Sequence, residues 1–165
     1  MNSVKNGKLF EIQTSIIPFL LCKNFKFNNT LSVFEKDYKD MKIVFPKNFT
    51  KYSKTIHNIE FKIRKPDESF FIYTSKKNQI KIIEKKFQNC KGSSDQKLYA
   101  GLGIKLEYCE YFKDFEIDYA FCLSDWYKQD FYKPLLNRVH NNFNIKHFFS
   151  SDKLYSENIY NWVKN

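Results

Sequence analysis

Glycine and proline are both scarce, four of each in 165 residues, which excludes collagen-like and linker-like chains. No apolar run approaches the roughly 20 residues that a bilayer span needs, so no membrane partner is expected. The N-terminus is not expected to act as a signal peptide, the remote alternative being an exported protein. Lys5 and Lys8 precede the apolar run Ile16 to Cys22, but Glu11 and Gln13 interrupt the approach and Leu21 is too bulky for a cleavage site. The four cysteines, Cys22, Cys90, Cys109 and Cys122, form no C-x-x-C pair, which argues against a zinc knuckle or a redox motif. A domain of this size needs no disulfide, so the thiols read as reduced and the setting as cytoplasmic. Arginine is nearly absent, with only Arg64 and Arg138 among 28 cationic residues.

Apolar and aromatic residues are plentiful, at 42% and 19%, enough to build a core and to argue against disorder. The net charge of +10 favours a polyanion as partner, either nucleic acid or an anionic membrane. Neither an internal repeat nor a linker interrupts the chain, so 1–165 reads as one domain with a core over about 59–149.

Leu9, Ile12, Ile16 and Leu20 predict a helix over 6–22, with Pro18 as a kink. Residues 23–57 read as a basic, irregular segment, either a surface suited to touching phosphates or a solvated loop, with one possible strand at Met41–Phe45. Residues 59–64, 68–74 and 79–88 read as strands, the last two joined by a polar turn. Ser93 and Gln96 have capping-box spacing. Behind them Leu98, Leu102, Leu106 and Cys109 predict a helix over about 95–112, with Gly101 and Gly103 packed closely against a sheet. A strand at 116–123, a helix over 128–142 kinked at Pro134, a strand at Ile145–Phe149 and a helix over about 155–163 complete the chain. The fold class is therefore mixed α/β, a hairpin-built sheet with helices packed on it.

The chemistry concentrates in residues 65–88. If Ser75 and Lys76 form a two-residue loop, Thr74 pairs with Lys77 and Asp67 lies directly opposite Glu84. With a four-residue loop Asp67 faces Lys86 instead, and Glu84 is its diagonal neighbour. Either way Asp67, Glu84 and Lys86 share one face of the sheet, whereas a three-residue loop would put Asp67 on the other face. Alternation adds Gln88 to the same face. Two carboxylates that close repel one another, and a divalent cation with a taste for hard oxygen ligands, Mg²⁺, relieves the repulsion. With Lys86 beside a developing negative charge, the set suits phosphodiester hydrolysis.

Pro66-Asp67 followed by Glu84-Lys85-Lys86 at the end of an apolar strand resembles the PD-(D/E)xK nuclease motif. Phe87-Gln88 and the run Gly92-Ser93-Ser94-Asp95-Gln96-Lys97-Leu98 are similar to the E-x-K-[YFW]-Q … G-[ST]-x-[DE]-[EQ]-K segment of a branch of type II restriction endonucleases. Gln96 departs from the glutamate often found before the lysine in that branch. The resemblance covers roughly 59–112. It implies a restriction-endonuclease-like α-β-β-β-α-β core with flanking helices. It further implies that Asp67 and Glu84 ligate Mg²⁺, that the Lys85 carbonyl adds a ligand, and that Lys86 is the catalytic lysine. Gln88 and Lys97 would support the site, and Glu11 on the first helix would join the acidic cluster. Ser93 and Ser94, at a helix N-terminus, would meet a phosphate, and Arg64 and Arg138 are the candidates for reading bases.

The expected activity is sequence-specific, Mg²⁺-dependent cleavage of double-stranded DNA by a homodimer whose two-fold symmetry matches its target. A companion DNA methyltransferase is expected of a restriction enzyme. The alternatives are a repair or junction-resolving nuclease of the same superfamily and a basic nucleic-acid-binding module without catalysis.

Overall fold

The stretches richest in strand formers become the centre of a sheet. ESFFIYT forms β4 (Glu68–Thr74) and NQIKIIEKK forms β5 (Asn78–Lys86), both buried along most of their length. The computed structural model describes residues 3–60, 64–90 and 94–165. Before β4 come two helices, α1 (Ser3–Gln13) and α2 (Ile17–Cys22), then β1 (Lys26–Asn28), β2 (Val33–Asp37), β3 (Met41–Pro46) and α3 (Phe49–His57). After β5 come α4 (Ser94–Tyr111), β6 (Glu116–Leu123), two 3₁₀ turns, α5 (Lys133–Phe143), β7 (Ile145–Phe149) and α6 (Tyr155–Lys164).

The seven strands lie side by side in chain order. Strands β1 to β5 form an antiparallel meander, and β6 and β7 continue it in parallel. The two parallel steps need long connections, and α4 and α5 supply them. The fold is thus a mixed α/β architecture built on one sheet.

Each face of the sheet carries its own core. On one, α3, α4 and α5 cover Phe71, Ile80, Ile82, Tyr119, Phe121 and Leu123. On the other, α1, α2 and α6 cover Phe70, Ile72, Ile83, Ala120 and Cys122. Alternation along β5 follows from this. Ile80, Ile82, Glu84 and Lys86 point to the α4 side, and Lys81, Ile83 and Lys85 to the α1 and α6 side.

Several sequence expectations are corrected. The helix over 6–22 is two helices, and Pro18 lies in the first turn of α2, where no backbone donor is required. Of the expected apolar stripe Ile16 and Leu20 are buried, whereas Leu9 and Ile12 are exposed and Phe10 is buried in their place. The segment 23–57 is not irregular. Besides the strand expected at Met41–Phe45, which is β3, it holds β1, β2 and α3, with Asn48 capping α3 by accepting a 3.0 Å hydrogen bond from the Lys51 amide. The strand expected at 59–64 lies partly outside the described residues, and Ile59, Glu60 and Arg64 are not in a strand. The meander strand before β4 is β3. Pro134 does not kink a helix but sits in the first turn of α5, which begins at Lys133 rather than 128. In α4 the element is as expected but its buried side is offset. Leu98, Gly101, Ile104 and Tyr108 face the sheet, and Leu106 and Cys109 are exposed.

Candidate active site

The β4–β5 hairpin has the two-residue loop. The Thr74 amide donates to the Lys77 carbonyl at 3.2 Å, Tyr73 pairs with Asn78 and Glu68 pairs with Ile83. Continued by one residue, this register sets Asp67, just before β4, opposite Glu84. The Lys85 amide donates to Asp67 Oδ2 at 2.6 Å, so the carboxylate is fixed on the backbone between Glu84 and Lys86.

Glu84 is buried and Lys86 half-buried, and Lys86 Nζ lies 2.5 Å from Glu84 Oε1. Burial pushes the Glu84 carboxyl above the ordinary carboxylate range; the Lys86 charge pulls it down, Asp67 adds to the rise and Arg64 opposes it. Burial outweighs the ammonium beside it, so an ionised Glu84 is under-solvated and gains from any further positive charge brought to it. Tyr108 and Tyr119, whose hydroxyls are pushed up mainly by burial, also feel the charges of Glu84 and Asp67. The Tyr108 hydroxyl donates to the Arg64 carbonyl at 2.8 Å, tying α4 to the segment that leads into Asp67.

Beyond β5 the chain is pinned to β6. Ser124 Oγ donates to the Gln88 carbonyl at 2.9 Å and accepts from the Gln88 amide at 3.0 Å. Gln88 Nε2 donates to the Cys90 carbonyl, and Lys97 Nζ approaches Gln88 Oε1 at 3.4 Å. Lys86, Gln88 and Lys97 line one groove of about 380 Å³. Lys97 therefore faces the end of β5.

The other sequence candidates divide. Glu11 reaches the neighbourhood through its backbone: its carbonyl accepts from Lys85 Nζ at 3.0 Å, and its exposed side chain borders a cavity of about 440 Å³ that Asp67 also lines. Arg64 is exposed, and its charge acts on Glu84. Arg138 is not brought to the carboxylates; it donates to the Tyr99 hydroxyl at 3.0 Å, joining α5 to α4. Ser94 opens α4, and Ser93 lies outside the described residues.

Sequence reasoning missed Glu68 and the side chain of Lys85. Both are buried on the α1 side, and Lys85 Nζ lies 2.9 Å from Glu68 Oε1. The signal was available, because the register that sets Asp67 against Glu84 also makes Glu68 and Lys85 diagonal neighbours on the opposite face.

Among the described residues no group of three or more His, Cys, Asp or Glu side chains is gathered as a metal site. The donor chemistry at Asp67 and Glu84 nonetheless fits a hard divalent cation. Each carboxylate engages one oxygen with the protein, Asp67 Oδ2 with the Lys85 amide and Glu84 Oε1 with Lys86. No helix of the described residues is long and apolar enough to cross a membrane. No family model, curated protein or solved structure matches this chain.

Proposed function

We propose that this chain is a metal-dependent endodeoxyribonuclease of the PD-(D/E)xK type, similar to type II restriction enzymes and acting on double-stranded DNA as a homodimer. The observation that carries the reading is the Asp67 carboxylate hydrogen-bonded to the Lys85 amide, in the register that opposes it to Glu84 beside Lys86. The later part of the chain supports it: the hairpin β4–β5, then α4, then β6 parallel to β5 is compatible with the second half of an α-β-β-β-α-β core, with β3 paired antiparallel to β4 as its first strand, although β1 and β2 precede β3 and α3 is inserted between β3 and β4.

Asp67 and Glu84 would hold Mg²⁺, which supplies Lewis-acid polarisation of a phosphate oxygen and a more acidic water. Lys86 is a half-buried cation at the same place and would balance negative charge developing on the phosphate. Gln88 and Lys97 line the groove beyond it; Lys97 would meet a neighbouring phosphate, and Gln88 holds Lys97 in range. A methyltransferase that protects the host's own sites belongs to the restriction reading.

The test is incubation of the purified protein with plasmid and phage DNA in Mg²⁺ or EDTA, beside Asp67→Asn, Glu84→Gln and Lys86→Ala. Discrete fragments that disappear with EDTA, and at least about a hundredfold slower cleavage in each variant, are expected. Sequencing the fragment ends then separates a restriction enzyme, which leaves one fixed sequence, from a structure-directed nuclease, which does not. Full Mg²⁺-dependent cleavage by both carboxylate variants would end the proposal. Salt-sensitive binding without cleavage in any divalent metal would replace it with the binding module.

A further inference from the structure

The face of the hairpin turned away from the Glu84–Lys86 pair carries the second ion pair. Glu68 and Lys85 are each less than a tenth exposed. Glu68 Oε1 accepts from Lys85 Nζ at 2.9 Å and from the Ile16 amide at 3.0 Å. Lys85 Nζ also donates to the Glu11 carbonyl at 3.0 Å. One carboxylate and one ammonium thus join four pieces of chain: the end of α1, the start of α2, the start of β4 and the end of β5.

The pair is a poor device for stability alone. Glu68 Oε2 is buried with no hydrogen-bond partner, and an oxygen left so is costly. Burial pushes the Glu68 carboxyl above its usual range despite the lysine beside it. Apolar residues of similar volume stabilise such a position as well or better. What apolar residues would not do is fix relative positions, and the pair's place in the chain shows which positions matter. Glu68 follows Asp67 directly. Lys85 stands between Glu84 and Lys86, and its amide is the donor that holds Asp67. The side chain of Lys85 therefore anchors the same residue whose backbone orients the candidate metal ligand on the opposite face.

We propose that Glu68 and Lys85 are positioning residues: their buried ion pair, anchored on the Glu11 carbonyl and the Ile16 amide, holds the Asp67 carboxylate on the Lys85 amide and so sets the Asp67–Glu84–Lys86 face. The inference takes from the nuclease reading what that face does, but its geometric content stands apart from it.

The test follows this separation. The principal variant is the double substitution Glu68→Gln/Lys85→Met, which removes both charges and leaves neither one buried alone; Lys85→Arg is the conservative control. Amide hydrogen exchange is measured residue by residue. The double variant is expected to lose at least tenfold in protection at the Lys85 amide, with the β4–β5 ladder around Phe71 and Ile80 unchanged, and Lys85→Arg is expected to keep most of that protection. Wild-type protection at Lys85 in the double variant would overturn the proposal. So would an equal loss along the whole ladder, which is the signature of general destabilisation. In cleavage assays the double variant is expected to need at least tenfold more Mg²⁺ for half-maximal rate; an unchanged Mg²⁺ requirement in a cleaving protein would also overturn it. If the wild-type protein cleaves no DNA, the nuclease reading fails and the exchange result alone still decides the positioning role.

Discussion

Two glycines two residues apart in α4 make opposite predictions under the same substitution. Both have negative φ, so alanine suits the backbone at either, and in a helix interior it is favoured over glycine by about 1 kcal/mol. At Gly103 a Cβ meets nothing within 4 Å, so Gly103→Ala is expected to realise that gain. At Gly101 the Cβ would sit 2.4 Å from Cζ and 3.1 Å from Cε2 of Phe121. Ordinary carbon contacts start near about 3.5 Å, so the helix or the ring must yield by about 1 Å. Phe121 has no free direction, being fully buried and packed edge-on to Tyr119 at 5.5 Å between ring centres. Overpacking of this kind costs about 1–3 kcal/mol, which exceeds the propensity gain and reverses the sign. With about 2–4 °C per kcal/mol for a chain of this size, thermal unfolding followed by circular dichroism should show Gly103→Ala raised by about 2–4 °C and Gly101→Ala lowered by a similar amount. Phe121 is the β6 partner of Glu84, so Gly101→Ala is also expected to slow cleavage without touching substrate. Equal stabilisation by both alanines would refute the close seating of α4 on β6.

Glu84→Gln should raise stability at neutral pH while removing activity. The Glu84 carboxyl is raised by burial, so its stabilising contribution is present below the ordinary carboxylate range and is lost as pH rises through its folded value. The gain from the amide, read as urea midpoints at pH 7 and pH 4, should shrink on acidification; destabilisation at pH 7 would contradict the sign. Lys97→Ala should weaken DNA binding similarly for all sequences and reduce the slope of log affinity against log salt by about one, and an unchanged slope would remove Lys97 from the phosphate contacts. Phe71→Ala, in the core between Phe49 and Tyr52 at 5.6 and 4.9 Å between ring centres, should cost about 3–5 kcal/mol in denaturant unfolding, and a loss below about 1 kcal/mol would place the core elsewhere.

Legibility in the sequence followed the strength of local signals. Strands β4, β5, β6 and β7 were readable because their β-branched and aromatic runs are bounded by polar turns. The α4 helix was readable by its period, yet its buried side was misjudged: Leu106 and Cys109 are apolar but exposed, and Gly101 contributes contact by having no side chain. Strands β1 and β2 were missed because they are three and five residues long, and Val33 and Phe34, buried on opposite faces of the sheet, are followed by charged residues with no apolar alternation to mark a strand. Pro18 and Pro134 were read as interruptions, although each stands in the first turn of a helix. Register depended on one turn, Ser75–Lys76, and the two-residue option was one of the options legible in the sequence.

The same register explains why the candidate site and its support come from one short run of chain. On a strand, neighbours point to opposite faces, so Asp67-Glu68 and Glu84-Lys85-Lys86 each contribute to both sides of the sheet at once. The odd partner of each, Glu68 and Lys85, forms a buried ion pair under α1, and the others form a more accessible one beside α4. A slip of one residue would exchange the two sets and place Glu84 under α1. The core opposes that slip, since Ile80 and Ile82 are buried on one face and Ile83 on the other. Where the charges stand is therefore decided less by their own attraction, which the desolvation of buried charges largely offsets, than by the apolar residues that fix the strand between them.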